Sequence, residues 1–190
     1  MLAEHNSSSE SHPSGLKPDL RTVLLGSEGP IRFHMGKALP IAGIIGEAPG
    51  PRSDWRYPLI GGSSGRRLQK MFEMSFLVYL KTFRTYNLLH VYPGKKWPLG
   101  AARKAAGVIL EDSRDLGGLI ILGRKVADAC EIHGDFFTII QCNAMPVLLL
   151  PHPSGLNHVW NDPSNVTRVL PIATDLLARA KEQQHGRDST

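Results

Sequence analysis

Four short apolar runs punctuate the chain: IAGIIG (Ile41 to Gly46), YNLLHVY (Tyr86 to Tyr92), GLIILG (Gly118 to Gly123) and MPVLLLP (Met145 to Pro151). Such runs mark strands buried on both faces. Helical spacing fills the gaps. Leu68, Met71, Phe72 and Phe76 fall at i, i+3, i+4 and i+8, as do Ala102, Ala105, Ala106 and Leu110, and each set makes one apolar stripe. Ser63 or Ser64 is placed to cap the first of these helices. Asp162 before Pro163 is a helix start, and Val166, Val169, Leu170, Ala173, Leu177 and Ala180 continue one face. Pro171 should kink or divide that helix. Strands alternating with helices predict an α/β fold, a three-layer α/β/α sandwich with a mostly parallel central sheet.

At 190 residues and 42% hydrophobic, the chain suits one buried core and is short for two domains. Residues 1–19, rich in Ser, His, Glu and Pro, read as a flexible N-terminal arm; 20–182 read as the single domain and 183–190 as a flexible tail. No internal repeat is present. No apolar run reaches the roughly 18 to 20 residues of a membrane span, and the N-terminus lacks an apolar signal core. A soluble, cytoplasmic monomer without a membrane partner is therefore expected. Cys130 and Cys142 are too few for a disulfide framework or a four-thiolate cluster and read as buried small hydrophobes. The eight histidines show no zincin or zinc-finger spacing, so neither a metal nor another cofactor is expected. A net charge of +5 suits a polyanionic partner.

In open α/β sheets ligands bind beyond the carboxyl ends of the strands. Three segments after the apolar runs are unusual. GEAPGPRSDWRYPLIGGSSGRRL (Gly46 to Leu68) presents backbone N–H groups and one carboxylate, Glu47, with few bulky side chains; a tight strand-to-helix turn is the plain alternative. Asn87 stands at the start of the second run, where an ordinary turn asparagine would serve. In PHPSGLNHVWNDP, His152 follows directly on the fourth run, fixed between two prolines and followed by a Ser-Gly turn and Leu156.

Together these segments resemble the uracil-DNA glycosylase superfamily, from roughly Ile41 to the last helix. Gly46, Glu47, Ala48, Pro49 and Gly50, then Asp54, then Pro58, Leu59, Ile60 and Gly61, with Gly65 and Leu68 beyond, look like the first motif of its iron–sulfur, family-four branch. HPSGLN (His152 to Asn157) resembles the second motif, His-Pro-Ser before an intercalating loop. The resemblance implies a DNA glycosylase that flips a base from DNA and hydrolyses its N-glycosidic bond. Glu47 would orient water and His152 would stabilise the departing base. Gly46, Ala48, Pro49, Gly50 and Leu59 would line the base pocket, and Asn87 would read a pyrimidine edge.

Leu156 would be the wedge that fills the vacated stack, with Pro153, Ser154, Gly155 and Asn157 beside it. Ser63, Ser64, Arg52, Arg66, Lys95 and Lys96 would complete the DNA-binding rim, with Arg56, Arg67 and Arg103 near it.

Three departures from the branch bear on substrate. The cluster cysteines are absent, Leu59 stands where the family stacks Phe, with Trp55 and Tyr57 nearby, and IGGSSG carries one extra small residue. These fit either a divergent enzyme excising uracil in base-excision repair, or a roomier pocket for a hydroxymethylated or glucosylated cytosine in phage DNA, an antiviral role. A catalytically silent DNA-binding member is the alternative of another class.

Overall fold

The computed structural model describes residues 31–33, 40–50, 53–54 and 56–188. In chain order the elements are β1 (Ile31–Phe33), β2 (Ala42–Gly46), α1 (Ser63–Met71), α2 (Phe76–Thr82), β3 (Phe83–Asn87), α3 (Leu99–Asp112), β4 (Gly118–Leu122), α4 (Arg124–Ala129), β5 (Thr138–Cys142), β6 (Met145–Leu150) and α5 (Pro163–Asp188). A 3-10 turn, His158–Asn161, precedes α5. The sheet runs β1-β3-β2-β4-β6-β5, with β3, β2, β4 and β6 parallel and the two outer strands antiparallel.

Alternate residues of the central strands feed two separate cores. Ile44, Ile120, Leu122, Leu148 and Leu150 pack with Leu68 of α1, Tyr79 of α2 and Val169, Ala173 and Leu176 of α5. Ile45, Leu119, Ile121, Val147 and Leu149 pack with Ala102, Ala106 and Ile109 of α3 and Val126 of α4. Helices thus cover both faces, which is why the parallel strands are apolar throughout. The expected α/β class with a mostly parallel sheet is what the chain forms.

Several local expectations change. The second strand is Phe83–Asn87, three residues before the apolar run begins, because Arg84 is admitted to its interior. The guanidinium is buried and donates to Asp115 Oδ1 and Oδ2 at 2.9 and 2.7 Å and to Asp112 O at 2.9 Å, which replaces the water it gave up. The stripe Leu68–Phe76 is split between α1 and α2, and Phe76 is half exposed. Gly62, with no side-chain cap, precedes α1, so neither Ser63 nor Ser64 caps it.

β5 and β6 form a hairpin whose two turn residues, Asn143 and Ala144, both have positive φ, the form that matches strand twist. Pro171 does not divide α5: it lies on the exposed side, where the carbonyl its missing N–H leaves free is open to water. The expected tail from 183 is instead the last turns of α5. Gln184 Nε2 donates to Pro40 O at 2.9 Å and Arg187 Nη1 to Leu116 O at 3.2 Å, so the segment has partners that favour helix over coil. The arm 1–19 lies outside the described residues.

Candidate active site

The chain leaves β2 toward β3 on one side and leaves β4 toward β6 on the other, so the crevice between the ends of β2 and β4 is the topological switch point of the sheet. Glu47 follows β2 there, and Gly123 follows β4. Gly123 has φ +93, and a Cβ on it would stand 3.1 Å from His152 Cβ and 3.5 Å from Glu47 Oε1. The glycine therefore separates the two candidate catalytic side chains by the thickness of its own backbone. Asn87 ends β3, paired with Gly46 in register, rather than starting a strand as expected. All three side chains converge because parallel strands end on the same side.

His152 is held in one orientation. Ser154 N–H donates to its Nδ1 at 3.2 Å. A backbone amide only donates, so Nδ1 is the bare nitrogen and Nε2 carries the proton. Its carbonyl accepts from Trp160 Nε1 at 2.8 Å and Asn157 Nδ2 at 3.1 Å. Burial pushes the imidazole below its ordinary value of 6.5; Glu47 opposes that shift and the Lys125 charge adds to it. The group is a neutral donor near pH 7.

A pocket of about 70 Å³ opens in front of this ring, lined by Ala48, Pro49, Gly50, Leu59, Ser63, Ser64, Asn87 and His152, and also by Ser53, Asp54, Tyr57 and Gly65. Asn87 is 2% exposed, and its Oδ1 finds no hydrogen-bond partner among the described residues. Such an orphan costs about 1–3 kcal/mol unless a ligand satisfies it. A Cβ on Gly46 would stand 2.9 Å from that oxygen and 3.2 Å from Leu59 Cδ2. Leu59 itself is left-handed at φ +57, an uncommon conformation for a bulky residue and one that collects at functional sites. Tyr79 Oη donates to its carbonyl at 3.3 Å, and Gly65 packs so close that a Cβ there would lie 2.1 Å from the same oxygen.

Glu47 stands beside the pocket rather than in its wall. Its Oε2 is 3.4 Å from Lys125 Nζ, and that ammonium lies 5.4 Å from the centroid of the Trp97 ring. The roles of Lys125 and Gly123 were not anticipated, although Arg124 and Lys125 also directly follow a buried run.

The expected DNA-binding residues divide. Leu156 is 89% exposed at the tip of the His152 loop, and Gly155, Arg66, Lys95 and Lys96 are exposed. Asn157 instead braces its own loop, taking Val159 N–H on Oδ1 at 3.2 Å while its amide holds the His152 carbonyl. Pro153 is buried and has no N–H, and the Ser154 N–H is engaged by His152, so of this pair only the Ser154 hydroxyl faces outward tasks. Arg67 Nη1 donates to Ser154 O at 3.1 Å and ties α1 to the loop; Arg56 pairs with Asp54 and Arg103 with Glu131. Arg52 and Trp55 lie outside the described residues. A larger groove of about 590 Å³, between α3, the β5–β6 hairpin and Arg187, has an apolar floor of Leu119, Ile132 and Val147, with Glu111, Arg114 and Cys142 also lining it.

No helix among the described residues is long and apolar enough to cross a membrane. No protein-family model matches the chain, and neither does any curated protein.

Proposed function

We propose that this protein is a DNA glycosylase of the uracil-DNA glycosylase type, with the corresponding fold, and that uracil is the base it releases. The observation that carries the reading is the buried Asn87, whose Oδ1 has no partner among the described residues, lining a pocket shared with a neutral, fixed His152. An orphan acceptor asks for an N–H on the ligand, which ring N3 of uracil supplies, while the other half of the same amide meets O4. His152 Nε2–H then faces the oxygen on which charge collects as the C1′–N1 bond breaks and its electron pair leaves with the base. A water beside C1′ supplies the oxygen that replaces the base, and Glu47 takes its proton.

The room in the pocket supports a small base. At about 70 Å³ it is well under the roughly 300 Å³ at which pockets enclose drug-sized ligands. A hexose-bearing cytosine is larger than this space and would require the walls to move.

The test is an assay of alkali-labile abasic sites in matched oligonucleotides carrying uracil, thymine, 5-hydroxymethylcytosine or its glucosylated form. Cleavage at uracil alone is expected. In His152→Asn the asparagine oxygen stands where Nδ1 does and keeps the Ser154 bond, but the outward donor is gone, so the rate should fall about 10²–10³-fold. Release confined to the glucosylated base would transfer the protein to defence against modified DNA, and no release from any oligonucleotide would leave a silent binding module.

A further inference from the structure

The loop that leaves β3 also opens at the carboxyl end of the sheet, and none of its residues lines the pocket just described. Leu88 and Leu89 still donate to the carbonyls of Gly46 and Glu47, each at 3.0 Å. Beyond them the chain turns outward, with Val91 74% and Tyr92 53% exposed. Gly94, at φ +64, reverses it, and the exposed Lys95 and Lys96 follow. Trp97 closes the loop half-buried, with Lys125 over its ring, and Lys125 reaches Glu47. The base of the loop is thus fixed to the candidate water-orienting carboxylate, while its tip holds an aromatic ring, an aliphatic group and two cations in solvent. No acidic residue occurs in sequence between Glu73 and Glu111, so the tip's charge is not neutralised from its own segment.

A ring beside two lysines matches a polymer with flat apolar faces joined by phosphates. Base stacking on aromatics tolerates any sequence, and cations follow the backbone. A duplex keeps its base faces inside the stack, where Tyr92 has nothing to cover. We infer that the Val91–Lys96 loop is a platform for single-stranded DNA, with Tyr92 stacking on an unpaired base next to the nucleotide held in the pocket and Lys95 and Lys96 taking adjoining phosphates. This deepens the glycosylase reading, on which it rests for the choice of DNA, by assigning an unpaired strand as the substrate form.

The experiment is fluorescence anisotropy of the full chain with labelled oligothymidylate of about 16 nucleotides, a single-domain footprint, and with the same tract in a blunt duplex. The single strand should bind more tightly. Tyr92→Ala should weaken it at least about fivefold, the low end for one stacked base, while Tyr92→Phe holds. Lys95→Gln with Lys96→Gln should flatten the slope of log K against log salt by about 1.4, or ~0.7 per released counterion. Tyr92 is exposed, so equal melting temperatures of the variants will show that the fold is kept. Wild-type affinity in Tyr92→Ala, or preference for the duplex, overturns the platform. Binding here needs no excision, so absence of base release with the Tyr92 effect intact would sink the glycosylase reading alone.

Discussion

A single backbone donor decides the state of His152. Because Ser154 N–H occupies Nδ1, protonating the ring would set two donors against each other, and burial already lowers its affinity for a proton. The unfolded chain takes up that proton at the ordinary value of 6.5, the folded chain only at lower pH. Stability from this residue is therefore complete above 6.5 and is lost as pH falls through the lowered folded value. Thermal melts of the wild type and His152→Asn from neutral to mildly acidic pH should show the wild type losing more; parallel curves would refute the shift. In the proposed mechanism Lys125 acts through Glu47. Lys125→Gln should lower kcat about threefold to tenfold, on the scale of ~1 kcal/mol for one exposed ion pair, and Lys125→Arg should restore it. Glu47, Asn87 and His152 were legible as unusual polar residues beside buried runs. Lys125 was not, because a lysine after a strand is unremarkable until its partner across the crevice is known.

At the scale of elements, the first turn of α1 has a position with no freedom, Gly65. Gly65→Ala would set a methyl 2.1 Å from Leu59 O, and moving that carbonyl disturbs the left-handed Leu59 that walls the pocket. A cost of about 1–3 kcal/mol is expected, together with weakened binding of the base. Gly61→Ala, with nothing among the described residues within 4 Å, should change stability by less than about 0.5 kcal/mol. Chemical denaturation of the pair checks both, and equal stabilities would sink the argument. The four parallel strands were readable because burial on both faces leaves uninterrupted apolar runs. β3 was displaced in the reading since a charged Arg84 looks like a strand boundary until Asp112 and Asp115 are brought beside it. The β5 strand, only partly buried at an edge, has no such run to announce it.

For the whole molecule, strand order gathers the chemistry: β3, β2, β4 and β6 deliver Asn87, Glu47, Gly123 and His152 to one end. That end was foreseeable from the parallel-sheet rule, but the order was not, since the runs carry no mark of their neighbours. The opposite end is closed by α5. Gln183 donates to Ala144 O, Gln184 to Pro40 O and Arg187 to Leu116 O, so three separate loops meet the same two turns of helix. Removing residues from 183 onward should cost about 2 kcal/mol of hydrogen bonding and lower the melting temperature by ~4–8 °C; an unchanged melt would show the turns to be ornamental. The Gln184–Pro40 bond spans 144 positions. As the chain emerges from a ribosome, β2 must therefore wait for nearly everything after it before its entry is sealed, and non-local closures of this kind slow folding and leave strand edges open meanwhile. The newborn protein would be most in need of a chaperone just before α5 arrives.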